Sequence, residues 1–193
     1  DYVVLTAPAP EQAAMLADLD PALANEVGKI AYNRIAVVAV GYREADVPRG
    51  LNGFGYLTPQ RDRRDVLGVQ WCSTIFPDRA PPGMVLWRAL CGGWHRGGMV
   101  DWPDDQLIAA VRAELRTTTG VTAAPVLVHV VRWPRAIPQY LVGHPARVER
   151  IAALAATYPG LHLGGNAYHG VALNDCCEQA VAIAERIAKP RAA

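Results

Sequence analysis

What this chain lacks narrows its function first. No G-x-G-x-x-G stands between a strand and a helix anywhere in its 193 residues, so the usual dinucleotide-binding fingerprint is missing. Gly53-Phe-Gly55 comes nearest, but Tyr-Leu-Thr follows and the third glycine is absent. The four cysteines, Cys72, Cys91, Cys176 and Cys177, offer no C-x-x-C spacing for zinc. Adjacent Cys176 and Cys177 do not readily form an ordinary disulfide, so buried thiols in a reducing compartment are expected. The five histidines (His95, His129, His144, His162, His169) show neither H-x-x-x-H nor H-E-x-x-H, and no metal site is expected. Net charge is +1 with no basic run, which argues against a nucleic-acid partner. The longest apolar stretch, Ile35 to Val40, is far short of the roughly 20 residues a membrane-spanning helix needs; it suits a buried strand. No charged leader precedes the first strand, so no signal peptide is read and a cytoplasmic location is expected. There is no internal repeat or low-complexity tract.

What is present concentrates in one stretch. Leu161-His-Leu-Gly-Gly-Asn-Ala-Tyr-His-Gly-Val-Ala-Leu-Asn-Asp-Cys-Cys177 reads as a short strand, a glycine-rich turn and the start of a helix. Cys177, Ala180, Val181, Ala184, Ile187 and Ala188 recur at helical spacing and predict an apolar stripe. Gly164, Gly165 and Gly170 remove side chains where the backbone comes close to something. A helix N-terminus presents unpaired N–H groups and partial positive charge, which suits an electron-rich ligand. Asn174 is expected to stabilise the helix start by local hydrogen bonding. Many strand–glycine–helix junctions bind nothing, so the pattern alone leaves the turn a candidate.

Along the rest of the chain, Tyr2 to Thr6 predict a strand apolar on both faces, which calls for neighbours on both sides. This opening, without initiator Met or preceding turn, reads as the later part of something longer. Short helices are expected over Glu11–Leu19 and Ala22–Ile30, a strand over Arg34–Tyr42, and a loop over Glu44–Asn52. Phe54–Leu57, Val66–Ile75 and Met84–Cys91 follow as three strands of an antiparallel meander. Trp102-Pro103-Asp104-Asp105 opens a helix whose Leu107, Val111 and Leu115 line one face and whose exit is Gly120. Val126–Val131 predicts an apolar strand. Pro145 opens a helix with a stripe of Val148, Ile151, Ala152 and Ala155. Trp71, Trp87, Trp94 and Trp133 are core candidates. His144 is expected to hold a loop beside Pro145 rather than shuttle protons. The fold class is α/β plus α+β, as when a second domain is inserted into a first.

Four stretches carry a resemblance: Asp1-Tyr-Val-Val-Leu-Thr-Ala-Pro-Ala9; Gly53-Phe-Gly-Tyr-Leu-Thr-Pro59 with Leu67-Gly68 and Ser73 to Pro77; Ala136-Ile-Pro-Gln-Tyr-Leu-Val-Gly-His144; and Ala167-Tyr-His-Gly-Val-Ala-Leu-Asn-Asp-Cys176. On these the chain resembles the C-terminal part of the flavin-dependent protoporphyrinogen oxidases, within the monoamine-oxidase-like flavoprotein superfamily. The resemblance implies the C-terminal part of a FAD-binding Rossmann-like domain, residues 1–8 and 159–189, flanking a mixed antiparallel-sheet substrate domain, residues 9–158. It implies FAD as cofactor and a porphyrinogen and molecular oxygen as partners. It leaves room for a homodimer and for peripheral membrane association through parts not in this chain.

Residue by residue, the resemblance implies that Gly165 and Asn166 pass the flavin and its ribityl arm. Gly170, Val171, Ala172 and Leu173 bring the helix start to the pyrimidine edge of the flavin. Phe54, Gly55, Leu57 and Leu90 line the tetrapyrrole pocket. No catalytic residue is assigned, since oxidation of a porphyrinogen needs a ring positioned beside the flavin rather than a strong protein base. The implied activity is oxidation of protoporphyrinogen IX to protoporphyrin IX in haem biosynthesis. Two alternatives stand beside it: oxidation of coproporphyrinogen III to coproporphyrin III, and a non-catalytic tetrapyrrole-binding or scaffolding fragment. The two substrates differ in their number of carboxylates, so an added basic group in the pocket would separate them.

Overall fold

A computed structural model describes residues 1–48 and 51–188. Arg49 and Gly50 of the expected loop, and Lys189 at the end of the second expected FAD segment, lie outside the described residues. The chain divides into two compact units, one of Asp1–Tyr32 with the chain from Ile137 onward, the other of Asn33–Ala136.

In the first unit, strand β1 (Val3–Leu5) pairs in parallel with β7 (Leu161–Leu163), Val3 opposite Leu161 and Leu5 opposite Leu163. This is the neighbourhood expected of the two ends of the chain. The burial expected of β1 is not found: Tyr2, Val3 and Val4 are exposed, because β7 is its one strand partner among the described residues. Helix α1 (Ala9–Leu16) follows Pro8, and α2 (Pro21–Gly28) is capped by Asp20, whose Oδ1 accepts from the N–H groups of Ala22 and Leu23 at 2.9 and 3.0 Å. Pro21 at the first helical position loses no needed donor. Helix α5 (His144–Ala155) buries Val148 and Ile151 as expected, whereas Ala152 is exposed and Ala155 half-buried. One core joins Leu16, Leu23, Val27 and Ile30 to Val148, Ile151, Ala167 and Tyr168. That core moves the boundary of the unit away from residues 8/9 and 158/159. Residues 9–32 and 137–158 share their apolar contacts with the terminal strands, so they belong to this unit. Helix α6 (Leu173–Ala188) buries only Ile183, at 5% exposure. The stripe of Cys177, Ala180, Val181 and Ala184 is exposed, with Ile187 half-buried.

The second unit is an antiparallel sheet in the order β3-β4-β5-β2-β6, made of β3 (Gly55–Leu57), β4 (Val66–Gln70), β5 (Met84–Gly92), β2 (Ile35–Arg43) and β6 (Leu127–Trp133). The meander expected of the three middle strands is present. The second of them stops at Gln70, and Cys72–Ile75 form a short helix, α3, instead of continuing the strand. One local bond and one to β5 support that helix: the N–H of Ile75 donates to the Trp71 carbonyl, and Ser73 Oγ accepts from the N–H of Leu86. Helix α4 (Asp104–Thr119) lays Leu107, Val111 and Leu115, all fully buried, on one face of the sheet. That face supplies Val38, Val40, Val69, Trp87 and Ala89. Gly120 ends the helix in the left-handed region at φ 76°, which glycine adopts without penalty. Buried Glu114 on α4 is paired with Arg64 at 3.1 Å and accepts from the Tyr56 hydroxyl at 3.3 Å. Desolvation, first of all, pushes the Tyr56 phenol up to about 12. Side chains alternate between the faces of a strand, so the residues between the buried ones point the other way. Val37, Ala39, Leu57, Gln70, Leu86, Arg88 and Leu90 thus share a face that α4 does not cover.

Two of the expected core aromatics are on the surface. Trp71 and Trp87 are buried, but Trp94 is 49% and Trp133 53% exposed. Trp94 follows the paired glycines that end β5, and Trp133 ends the edge strand β6, so neither has sheet on both sides. Of the thiols expected to be buried, only Cys91 is; Cys72 and Cys176 are half-buried and Cys177 is exposed.

Candidate functional site

The glycine-rich turn of the first unit is held by a connected set of hydrogen bonds. The Tyr140 hydroxyl accepts from the N–H of Gly170 at 2.7 Å and reaches the carbonyl of Asn166 at 2.8 Å, to which it donates. One side chain thus clamps both limbs of the turn. Its ring stacks on His144, with centroids 4.0 Å apart and planes at 8°. His144 is buried, with Nε2 3.2 Å from the Tyr168 carbonyl, so it holds the loop as expected. Tyr168 donates its hydroxyl to Gln12 Oε1 at 2.6 Å. Gln12 in turn donates Nε2 to the carbonyls of Gly164, at 3.0 Å, and Ala7, at 2.6 Å. Both limbs of the β1–β7 pair are thereby tied to α1. Burial raises the Tyr168 and Tyr140 phenols above the ordinary tyrosine range, so both are neutral donors near pH 7.

Where α6 begins, Asp175 Oδ2 accepts from the N–H of Ala172 at 2.9 Å. This is half of a capping box, the acid at the third helical position reaching back to the residue before the helix. The local stabilisation expected of Asn174 therefore falls to its neighbour. The same carboxylate explains Gly170, at φ 141°: a Cβ there would overlap the side chain of Asp175. Gly170 is thus required by the chain's own packing.

The N–H groups of Val171 and Leu173 have no hydrogen-bond partner among the described residues, whereas Ala172 has lost its donor to Asp175. Gly165, Asn166, Val171 and Leu173 line one cavity of about 710 Å³, walled by Val4, Ala180 and Ile183. Gly165 has φ 113°, and a Cβ there would lie 3.4 Å from the Thr6 carbonyl oxygen. Of the six residues expected at the cofactor, these four share the cavity. Gly170 and Ala172 are not among the residues that line it.

The residues expected at the tetrapyrrole lie in the second unit. Leu57 is exposed and Leu90 half-buried; they flank Gly68 on the uncovered face of the sheet. Phe54, 77% exposed, lines a cavity of about 430 Å³ with Gln70, Leu86 and Arg88. Gly55, at φ 125°, has a backbone reason: a Cβ would run into the Val69 carbonyl oxygen across the β3–β4 pair.

Sequence reasoning left Tyr140, Gln12 and Asp175 without roles. Tyr140 stood inside a quoted motif, and Asp175 sat three residues beyond the last residue before the helix, the spacing of a capping box. Gln12 gave no signal beyond a polar residue on a short helix.

The model of the flavin containing amine oxidoreductase family matches residues 1–188. This chain belongs to that family. FAD is the flavin that the sequence reading expects in it. Protoporphyrinogen oxidase 1 of Arabidopsis thaliana chloroplasts is 35% identical over 188 residues, covering 92% of this chain and 35% of the relative. Coproporphyrinogen III oxidase of Bacillus subtilis (strain 168) is 32% identical over 180 residues, covering 93% of this chain and 38% of the relative. The crystal structure of a candidate protoporphyrinogen oxidase from Exiguobacterium sp. 255-15 superposes with a TM-score of 0.78 at 29% identity, over 97% of this chain and 41% of the other. Reduced UDP-galactopyranose mutase has a TM-score of 0.69 at 15% identity, a likeness of fold alone. The chain thus spans 35% and 38% of the length of the two curated relatives. No described helix is long and apolar enough to cross a membrane.

Proposed function

We propose that the whole protein is a FAD-dependent enzyme that oxidises a porphyrinogen to the porphyrin, with molecular oxygen as the final electron acceptor. The porphyrinogen is protoporphyrinogen IX or, as the alternative, coproporphyrinogen III. The observation that carries the reading is the turn over 164–173, clamped by Tyr140 and opening on a glycine- and aliphatic-lined cavity, two of whose lining residues, Val171 and Leu173, have N–H groups with no partner among the described residues.

The residues present fit a flavin. Its flat ring system suits the apolar wall of Val4, Ala180 and Ile183. Its electron-rich pyrimidine edge suits the N–H groups of Val171 and Leu173 at the positive end of α6. Gly165 allows the backbone to run close beside it. Bound FAD would supply the electron acceptor for the porphyrinogen. The chain's own part is positional. Tyr140 fixes the turn, and Asp175 occupies the Ala172 donor, so that the neighbouring N–H groups are those left to the ligand. Leu57, Leu90 and Phe54 offer an apolar surface to the macrocycle, and no proton-transfer residue is required of this chain.

The test is direct. Full-length protein loaded with FAD, incubated in air with protoporphyrinogen IX or coproporphyrinogen III, produces porphyrin fluorescence faster than the non-enzymatic control. Rates no faster than that control with both substrates would refute the reading.

A further inference from the structure

The sheet face that α4 does not cover carries a guanidinium, that of Arg88, with no carboxylate partner among the described residues. Arg88 on β5 stands opposite Gln70 of β4 and Ala39 of β2. Its Nε donates to Gln70 Oε1 at 2.9 Å, and its Nη2 donates to the same oxygen. An amide oxygen orients a guanidinium without neutralising it, and Nη1 keeps both of its hydrogens for another acceptor. Four other arginines of this unit are instead paired with acids. Arg34, Arg64, Arg96 and Arg132 each hold a carboxylate, on Asp101, Glu114, Asp65 and Asp104 respectively.

Arg88 opens on the cavity of about 430 Å³ that Phe54 also lines. Phe76, Ile75 and Leu86 make up much of its wall, and Arg79 adds a second cation, its Cζ 5.2 Å over the Phe76 ring. No aspartate or glutamate is among the described residues that line this cavity. Two guanidiniums beside aromatic and aliphatic side chains, with no acid among them, suit a ligand that is broad and apolar in body and anionic at its rim. Guanidinium forks match carboxylates in geometry as well as charge.

We infer that Arg88, oriented by Gln70 and assisted by Arg79, binds a propionate carboxylate of the porphyrinogen and favours the carboxylate-richer coproporphyrinogen III over protoporphyrinogen IX. This rests on the porphyrinogen-oxidising reading above. Protoporphyrinogen IX carries vinyl groups where coproporphyrinogen III carries two of its propionates, so a cation placed for those positions discriminates between them.

The experiment uses the full-length, FAD-loaded protein as wild type, Arg88→Met and Arg88→Lys, with steady-state oxidation of both porphyrinogens followed by porphyrin fluorescence. Arg88→Met is expected to raise KM for coproporphyrinogen III about tenfold or more, as loss of a charge-assisted hydrogen bond does. KM for protoporphyrinogen IX and kcat with either substrate should move far less. Arg88→Lys should recover part of the loss, since it keeps the charge but not the fork. A second measurement needs no substitution: titration of the wild type with coproporphyrin III and with its tetramethyl ester should show tighter binding of the free acid. Unchanged KM values in an Arg88→Met protein with a normal flavin spectrum would overturn the inference, as would equal affinity of the wild type for acid and ester. If the wild type oxidises neither porphyrinogen, the functional reading itself fails and takes this inference with it, an outcome visible before any variant is made.

Discussion

Tyr140 does the most for the turn that a single residue can, because its one hydroxyl joins two backbone groups, on Asn166 and Gly170. Tyr140→Phe keeps the ring stack on His144 and deletes both hydrogen bonds. The expected result is weaker FAD binding by the full-length protein, by about 1–3 kcal/mol, roughly fivefold to 150-fold in Kd. Flavin fluorescence titration of the apoprotein measures it. Gly170→Val should be more damaging than Asn174→Ala, because the new side chain meets Asp175, which holds the start of α6. Overpacking of this kind costs roughly 1–3 kcal/mol or more, whereas no hydrogen bond of the Asn174 side chain is lost. Equal FAD affinities for these two variants would contradict the packing argument. Cys91 provides a pH test in the other unit. Desolvation, the first cause, pushes its thiol up from 9.0 to about 12. Above pH 9 the unfolded chain loses the proton that the folded chain retains, so the stabilising effect is complete below pH 9 and declines as pH rises towards 12. Denaturant unfolding across that window should show Cys91→Ala with a shallower decline than wild type; identical slopes would dismiss the buried thiol as a contributor.

At the level of elements, the helix α4 shows what periodicity can deliver. Leu107, Val111 and Leu115 were readable as one face because their spacing repeats the helical turn, and all three are fully buried. Leu107→Ala should therefore cost about 2–5 kcal/mol in urea unfolding, against a much smaller loss for exposed Gln106→Ala. Similar losses at both positions would mean that α4 does not pack on the sheet by this face. Other readings failed for identifiable reasons. Val66–Ile75 has strand-like composition throughout, but Ser73 and the Trp71 carbonyl organise a helical turn that propensity does not announce. The apolar stripe of α6 obeys the same periodicity as α4 and is nonetheless mostly exposed, since periodicity says which face is apolar and not what covers it. The glycines of the turn could be picked out from sequence. Their reasons could not, because Asp175 meets Gly170, and Val69 meets Gly55, only after folding. Tyr140 and Gln12 were beyond sequence reasoning because, apart from the Gln12–Ala7 bond, their hydrogen bonds reach across 26 to 156 residues of chain.

On the scale of the molecule, chain order and spatial order differ. Both ends of the chain, with α1, α2 and α5, gather about one core, and Asn33–Ala136 form another. The first unit holds a parallel strand pair and a glycine-rich turn, and the second an antiparallel meander with α4 packed on one face. Each unit thus supplies a distinct chemical requirement of the proposed reaction: N–H donors and close backbone approach in the first, apolar breadth and oriented cations in the second. The measurement that tests the central claim most directly is anaerobic mixing of the full-length, FAD-loaded protein with protoporphyrinogen IX or coproporphyrinogen III in a stopped-flow spectrophotometer. The account predicts that flavin absorbance bleaches as FAD takes two of the six electrons that porphyrin formation requires, and that the flavin recovers and the porphyrin Soret band rises only when oxygen is admitted. Flavin absorbance that stays unchanged with both porphyrinogens would contradict it.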